Sequence, residues 1–365
     1  MAETIDAEET AFSQKMIAIL NGAALNLAVA IGYRTGLFDV MAALERPHTA
    51  EAIAARAGLS HRYVREWLGV MATGGIVTLT ASEDGDSRYR LPAAHASWLT
   101  RAAGNRNLAV YTQEIPLLTN CALESVLAGF KSGDGIPYDR YPAFQAFMTE
   151  LSEAKHRDVL VDQFLPSVDD GRLVGRLRQG MRVCDLGCGE GLALRLMARA
   201  YPRSRFLGLD ISAAAVDAAR RAAEAEGLEN VTFEVRDAAR LCQDAALRGS
   251  CDYVTAFDAI HDQTRPLEAL RGAHHLLSPG GAFSMIDIAA ESEPAQNLDH
   301  SMGPFLYTVS LMHCMPVGLA DGGAGLGMMW GRRQALELLA AAGFTKVKVV
   351  PMAHDPFNRH FFCRR

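Results

Sequence analysis

The most constraining feature of the chain is a regular alternation of apolar strand-like segments and helical segments after residue 180. Alternation of this kind predicts a mostly parallel sheet that is covered by helices on both faces. The last two strands are joined by a short turn, so we expect them to pair antiparallel at one edge. The predicted strands are residues 181–186, 205–210, 231–235, 252–258, 282–287, 345–351 and 360–365.

The first of these strands runs directly into a glycine-rich turn, in the segment VCDLGCGEGLAL. Gly187, Gly189 and Gly191 allow a sharp turn, and their missing Cβ atoms let a ligand approach closely. Glycine turns of this kind commonly hold phosphate, but Asp185 and Glu190 would repel a pyrophosphate. A ligand that carries an ammonium and a sulfonium group fits this turn better.

Further carboxylates stand at the ends of the next three strands. Asp210 ends the second strand, where it can accept hydrogen bonds from both hydroxyls of a ribose. Asp237 follows the third strand, where it and the N–H of Ala238 can recognise the amino edge of an adenine, and Asp258 follows the fourth. Each acid alone could be a helix cap. Four acids at the carboxyl ends of four successive strands instead mark the place where open α/β sheets bind ligands.

The segments VCDLGCGEG, FLGLDIS, VTFEVRDAA, YVTAFDAIHD and LLSPGGAFSMID together resemble the class I S-adenosylmethionine-dependent methyltransferases. The resemblance implies a Rossmann-like, seven-stranded α/β domain with S-adenosylmethionine as its cofactor. It places the methionine portion against Gly187 and Gly189, the ribose on Asp210 and the adenine on Asp237. The implied cofactor-binding residues are Asp185, Gly187, Cys188, Gly189, Gly191, Asp210, Ile211, Asp237, Ala238, Phe257 and Asp258.

The front of the chain has the pattern of a winged helix. One helix is expected to begin after a Thr49 cap and to stop at Gly58, and a second follows a Ser60 cap. The strands IVTLT and RYRLP then flank the turn EDGDS. The predicted domains are a mostly helical winged-helix domain over residues 1–100, a helical linker and lid over 101–175, and the methyltransferase-like domain over 176–365.

A winged helix ahead of such a domain resembles the small-molecule O-methyltransferases of plant and bacterial secondary metabolism. The segments LNLAVAIGYRTGLFD, TAEAIAARAGL, FDAIHDQ and HCMPVGLADGGAGLG are similar to those of a bacterial branch of this group. The resemblance implies that the front domain forms a homodimer and closes over the substrate. It implies two partners, a small-molecule methyl acceptor and a second copy of the chain.

The alternative for the front domain is a DNA-binding regulator that senses S-adenosylmethionine. His61, Arg62 and Arg65 on its second helix could contact phosphates. However, acidic residues outnumber basic ones in residues 1–100, and the acidic wing SEDGDS would be repelled by a duplex. We therefore expect no nucleic-acid partner and interpret the domain as a dimerisation and lid module.

The fourth strand is followed by a His261-Asp262 pair, in AFDAIHDQTRP. A hydroxyl acceptor needs a base near its proton, and a neutral imidazole near pH 7 suits that task. In the O-methyltransferases that the chain resembles, such a pair carries the general-base histidine, so His261 and Asp262 are the predicted catalytic residues. A packed histidine with Asp262 as a helix cap, and S- or C-methylation, are the alternatives. Gln263 replaces the aromatic residue that commonly follows the pair, so an aromatic wall for the acceptor must come from elsewhere.

A long connection rich in Met, Phe, Tyr and Trp follows the fifth strand, at residues 297–331. Such connections are commonly lids or pocket walls, although core packing explains most of these residues equally well. Asp287, His300, His313 and Cys314 match no strong metal-ligand spacing, so no metal is predicted. The predicted substrate-binding residues are Tyr307, Ser310, His313, Met315 and Trp330.

The composition suits a cytoplasmic globular protein. The net charge of −6 gives no indication of nucleic acid or of an anionic membrane as a partner. The N-terminus MAETIDAEET lacks the basic region of a signal peptide, so the seven cysteines are expected to be reduced. Residues 16–31 are apolar but contain two asparagines and a glycine, which predicts a segment too short and too polar to span a bilayer.

Overall fold

The computed structural model describes residues 2–81 and 86–365, which form two compact units. One unit extends to Pro116, and the other covers Leu117–Arg365. Most of the acidic turn that was predicted for the wing, residues 82–85, lies outside the described residues.

The first unit has the expected helix, turn, helix and hairpin. Its elements are α1 (Ala2–Arg34), α2 (Leu37–Ala42), β1 (His48–Thr49), α3 (Ala50–Ala57), α4 (His61–Thr73), β2 (Thr78–Ala81), β3 (Ser87–Arg90) and α5 (Ala93–Leu99), and α6 (Glu114–Ser132) begins at its end. Thr49 caps α3, because its Oγ1 accepts a hydrogen bond from Ala52 N at 3.3 Å, and Gly58 ends α3 in the left-handed conformation. Ser60 precedes α4 but makes no side-chain capping bond, contrary to expectation. The three strands form an antiparallel sheet in the order β1-β3-β2.

Helix α1 is longer than the apolar segment 16–31, because it continues unbroken through Asn21, Gly22 and Asn26. Its segment Ala7–Arg34 has a mean hydropathy of 1.7 and is long and apolar enough to cross a membrane by length and composition alone. The prediction of a segment too short and too polar is therefore wrong. The end of α1 packs within its own unit, where the indole Nε1 of Trp67 donates to Ala28 O at 2.8 Å. Earlier turns leave Ile17 and Leu20 exposed.

The second unit is built on a seven-stranded sheet of order β6-β5-β4-β7-β8-β10-β9. Strands β4 to β8 pair in parallel, and β10 pairs antiparallel with β8 and β9, as predicted. The strands are β4 (Arg182–Leu186), β5 (Arg205–Asp210), β6 (Val231–Val235), β7 (Cys251–Phe257), β8 (Leu277–Ile288), β9 (Lys346–Pro351) and β10 (Asn358–Arg364). The helices are α7 (Phe144–His156), α8 (Leu165–Ser167), α9 (Arg172–Gln179), α10 (Leu192–Ala200), α11 (Ala213–Ala225), α12 (Pro266–Leu276), α13 (Gly303–Val309), α14 (Met315–Leu319) and α15 (Gly331–Ala341).

Two hydrophobic cores cover the two faces of this sheet. Val183 of β4 belongs to one core and its neighbour Cys184 to the other, as the alternation of side chains along a strand requires. The central strand β4 has β5 on one side and β7 on the other, so the chain changes direction across the sheet at this strand. Ligands bind to open α/β sheets beyond the carboxyl end of such a switch point.

Candidate active site

The glycine turn after β4 has the conformation that the sequence predicted. Gly187, Gly189 and Gly191 have φ angles of +69°, +53° and +73°, which L side chains adopt rarely. A Cβ on Gly187 would lie 2.5 Å from the Cβ of Ala259, and one on Gly191 would lie 2.3 Å from the ring of Phe233. A Cβ on Gly189 would meet no atom within 4 Å. Gly189 is therefore the point at which a ligand can approach the turn, and Gly187 brings the turn against the loop that follows β7.

Two acids at this turn are poorly solvated. Asp185 is buried, accepts a hydrogen bond from Thr255 Oγ1 at 2.7 Å, and has its pKa raised to about 7 by burial. Asp210 accepts from Gly189 N and Ser212 N, both at 2.8 Å, and burial likewise raises its pKa. Carboxylates in such positions favour a nearby cation, because a positive charge restores the stability that the anions lose on burial.

Asp237, the acid that was predicted to contact adenine, already makes hydrogen bonds within the protein. Asp237 accepts from Ala239 N at 2.9 Å, so it caps the short helix that begins at Ala238. Its other carboxylate oxygen lies 3.1 Å from Arg265 Nη2. Ile211, next to Asp210, is 69 % exposed, which is unusual for a large apolar side chain at a strand end. A flat ring at this position would cover it.

Phe257 and Asp258, at the end of β7, are used by the protein itself. Asp258 has a φ of +50° and pairs with Lys155 Nζ at 2.7 Å and with Asn358 Nδ2 at 2.7 Å. The Phe257 ring packs on His156, with ring centroids 5.0 Å apart. These contacts join α7 to the ends of β7 and β10, and the predicted cofactor contacts of both residues stay predictions.

His261 is the centre of a buried polar network. Its Nδ1–H donates to Asp287 Oδ1 at 2.8 Å, and its Nε2 lies 3.5 Å from Asp262 Oδ1. The same Asp287 oxygen accepts from Trp330 Nε1 at 3.0 Å and from Ile288 N at 2.9 Å. Trp330 is buried in the core and holds Asp287, and its predicted contact with substrate stays a prediction. The arrangement fixes the ring of His261 and directs its Nε2 away from Asp287.

The charge of His261 differs from the expectation of a neutral imidazole. Burial lowers its pKa, but Asp287 and Asp262 raise it by more, so the pKa of His261 lies well above its ordinary value. In the protein without ligands, the two carboxylates therefore favour the protonated ring. A cation close to His261 would lower this pKa and favour the neutral ring.

An aromatic cluster encloses His313 beside this network. The ring of Phe144 stacks on His313 with centroids 3.9 Å apart, and Tyr141 and Tyr138 approach it edge-on at 4.7 and 5.8 Å. Burial lowers the pKa of His313 to about 4, so the ring is neutral. Burial also raises the pKa of Tyr138, and the charges of Asp262 and Asp210 raise it further, which places Tyr138 within the electrostatic field of both acids. These rings are the aromatic groups that lie beside the His261 network, and their contact with an acceptor stays a prediction.

The remaining predicted substrate residues lie on or beside a π-helical turn over Ser310–Cys314. Ser310 and His313 are buried, and Met315 is half-buried. The Tyr307 hydroxyl accepts from Asn297 Nδ2 at 3.2 Å, which ties it to the preceding loop. Turns of π-helix are frequent at functional sites, and this one places Cys314 next to His261.

Sequence analysis missed two parts of this site, and only the first had a signal that identifies it. Asp287 ends the strand AFSMID. The position of Asp210 and Asp258 at strand ends marked them as site residues, and the same criterion would have marked Asp287, which was considered only as a metal ligand. The segment IPYDRYPAF carries three aromatic residues between two helices, but nothing local indicates that they meet His313.

The comparisons with known proteins agree with this architecture. A family described as an Rv2258c-like winged HTH domain matches residues 23–101, and one described as a methyltransferase domain matches residues 177–312. The ubiquinone biosynthesis O-methyltransferase of Acinetobacter baylyi is 31 % identical over 28 % of this chain and 41 % of its own length. The 27-O-demethylrifamycin SV methyltransferase of Amycolatopsis mediterranei is 35 % identical over 34 % and 45 %. The chain thus matches less than half the length of these curated relatives.

Solved structures match over nearly the whole chain at low identity. Human N-acetylserotonin methyltransferase, solved in complex with S-adenosylmethionine, has a TM-score of 0.69 at 16 % identity and covers 97 % of both chains. The mitomycin 7-O-methyltransferase has a TM-score of 0.69 at 18 % identity and covers 98 % of this chain and 99 % of its own. These similarities show a shared fold. The chain therefore carries a winged helix-turn-helix domain of the Rv2258c-like family over residues 23–101, followed by a methyltransferase domain over residues 177–312.

Proposed function

We propose that this protein transfers the methyl group of S-adenosylmethionine to a hydroxyl of a small molecule, with His261 as the general base. The observation that carries the proposal is the His261 network: Asp287 holds Nδ1 at 2.8 Å, so that Nε2 points away from Asp287 and lies 3.5 Å from Asp262 Oδ1. The relatives named as O-methyltransferases support a hydroxyl rather than a thiol or a carbon acceptor.

The residues at the glycine turn fit the cofactor by their chemistry. Asp185 and Asp210 are buried anions that gain from a nearby ammonium or sulfonium, and Gly189 leaves open space in front of the turn. Asp210 suits a ribose, and the exposed Ile211 beside it suits the face of an adenine. We propose that Cys188, Gly191 and Ala238 complete the pocket by shape.

In the proposed mechanism the cofactor supplies an activated methyl group when bound, and the protein positions the acceptor and manages its proton. His261 in its neutral form would accept the hydroxyl proton at Nε2, which would leave the acceptor oxygen as the nucleophile for the methyl group that the bound cofactor would supply. Asp287 keeps the ring in place, and Asp262 stabilises the imidazolium that results. The cluster of Tyr138, Tyr141 and Phe144 limits water beside the base.

A direct test supplies the purified protein with S-adenosylmethionine and panels of phenols, thiols and carbon acids, and identifies methylated products by mass spectrometry. Methylation of a hydroxyl supports the proposal. Exclusive methylation of sulfur or carbon moves the protein to another acceptor class. No transfer to any acceptor, together with tight and salt-sensitive binding of duplex DNA, favours a regulator, although the exposed Arg62 of α4 is paired with Glu66.

The pH dependence of the reaction follows from the charge of His261. Because only the neutral ring accepts a proton, kcat/KM is expected to rise with pH, with its midpoint above the ordinary value of about 6.5. Asp262→Asn removes one of the carboxylates that raise this pKa, so the midpoint should move to lower pH. Initial rates across pH 5–10 measure the shift, and the exposed Asp299→Asn variant is the control. A midpoint that stays in place or moves upward in Asp262→Asn contradicts the assignment.

Binding of the cofactor is expected to release protons from Asp185. With a pKa of about 7 the carboxyl is about half protonated at pH 7, and a neighbouring cation lowers that pKa, so about half a proton should leave on binding. The release should grow towards pH 6 and fade towards pH 8. Calorimetry in buffers of different ionisation enthalpy measures it, and the difference from Asp185→Asn isolates the share of this group. Equal proton release by the native protein and by Asp185→Asn would show that Asp185 is not the source of the protons.

We also propose that the protein is a homodimer that covers the exposed face of α1. Phe12, Ile17 and Leu20 are 62, 57 and 66 % exposed, and they recur at helical spacing. Light scattering after size exclusion should give the mass of two chains, and the double change Ile17→Asp and Leu20→Asp should give one. Leu298→Asp, an exposed position in the other unit, is the control. A monomeric native protein, or one that binds lipid vesicles through α1, contradicts the dimer.

A further inference from the structure

Three different metal-ligand types converge at the base. One ligand atom from each of His261, Asp262 and Cys314 lies within 4.8 Å of the other two. We propose that these atoms form a binding site for a thiophilic divalent cation of the Zn²⁺ class, and that its occupancy blocks the base. The binding part is independent of the proposed function, and the blocking part rests on it.

The distances are close to those of a tetrahedral site. Zn²⁺ bonds of about 2.0 Å to nitrogen and oxygen and about 2.3 Å to sulfur place neighbouring ligands about 3.3 to 3.6 Å apart. His261 Nε2 and Asp262 Oδ1 are already 3.5 Å apart. All three ligand atoms lie within 4.8 Å of one another, so a small movement of the side chains brings them to these distances. Three protein ligands leave a fourth position for water, as in zinc sites that stay accessible.

The environment of the three atoms is prepared for a cation. Oδ1 of Asp262 is buried and makes no hydrogen bond within the described part of the chain, and His261 Nε2 lies 3.5 Å from it. The Nδ1–H of His261 donates to Asp287, the same second contact that orients metal-binding histidines and strengthens them as ligands. The Asp262 side chain is 25 % exposed, which gives an ion a path to the site.

The ligand set selects the metal. A thiolate, an imidazole and a carboxylate favour Zn²⁺ and its close analogue Co²⁺, whereas Mg²⁺ and Ca²⁺ prefer oxygen ligands alone. An ion bound at His261 Nε2 occupies the lone pair that would accept the hydroxyl proton. Zinc would therefore inhibit methyl transfer in competition with protonation of His261 and with the acceptor.

Binding is tested with Co²⁺ on the chelator-treated full chain. We expect one equivalent to bind with a near-ultraviolet thiolate-to-metal band, and the band to disappear in Cys314→Ser. Cys242→Ser, which removes an exposed thiol, should retain it. Asp262→Asn keeps the thiol and should weaken binding at least tenfold. Binding of S-adenosylmethionine checks that each variant is folded. No band in the native protein, or a band that persists in Cys314→Ser, overturns the site.

The inhibitory part is tested with Zn²⁺ during turnover of an identified acceptor. Each protein is compared with its own zinc-free rate. For the native protein, half-inhibition should occur at the Zn²⁺ concentration that displaces half of the bound Co²⁺. For Cys314→Ser, half-inhibition should require a Zn²⁺ concentration at least tenfold higher. Unchanged or increased turnover in saturating zinc overturns the blocking inference. If no acceptor is ever methylated, the proposed function fails, while the cobalt titration still decides the site.

Discussion

Replacement of His261 by glutamine is expected to lower kcat for methyl transfer by about 10²- to 10⁴-fold, the usual contribution of a general base. The glutamine amide can still donate a hydrogen bond to Asp287, so that buried carboxylate keeps a partner. The amide cannot accept the acceptor proton in place of the imidazole. Affinity for S-adenosylmethionine should stay within about threefold, because the lesion is confined to the proton-transfer step.

Single-turnover rates and calorimetry on the same preparation separate these two effects. His275→Gln makes the same change at a half-buried histidine outside the network and should retain full turnover. If the His261→Gln protein keeps more than about a tenth of the native rate, proton removal either occurs elsewhere or is not needed. In that case an acceptor that ionises readily, such as a thiol, becomes the better substrate class.

Replacement of Asp210 by alanine is expected to weaken binding of S-adenosylmethionine by about 100-fold or more. The change removes the proposed ribose contact and releases Gly189 N and Ser212 N, which the carboxylate now holds at 2.8 Å. Hydrogen bonds to a charged group contribute about 1.5 to 3 kcal/mol each, so loss of one or two accounts for that factor. The loosened glycine turn adds to the loss because its shape no longer matches the ligand.

Calorimetry with S-adenosylmethionine and with its demethylated product measures the loss for Asp210→Ala, and both ligands should weaken together because they share the ribose. Asp217→Ala, on the exposed side of α11, is the matched control. Asp210→Asn preserves the size of the side chain, so its dissociation constant should lie between those of Asp217→Ala and Asp210→Ala. An unchanged dissociation constant in Asp210→Ala would place the nucleoside away from β5.

The sheet and the glycine turn could be predicted because their signals are local. Only a few neighbouring residues are needed to recognise the alternation of a strand, a glycine that adopts a positive φ, or an acid at a strand end. The same locality explains the correct N-cap at Thr49. It also explains the error over α1, since asparagine and glycine lower helix propensity without preventing a helix that packs against Trp67.

The partners of the site residues could not be predicted because they come from distant parts of the chain. Asp258 is paired by Lys155 and by Asn358, each about a hundred positions away. The charge of His261 depends on Asp287 and Asp262 meeting at one ring, which no spacing rule specifies. The aromatic cluster likewise joins residues 138–144 to residue 313 across the fold.

The order of the strands has a consequence for synthesis of the protein. β10 lies between β8 and β9, although it is the last of the seven to leave the ribosome. Until then β8 presents an unsatisfied row of backbone groups to solvent, and such edges recruit other nascent chains. Chaperone demand should therefore peak in the interval between translation of β8 and translation of β10.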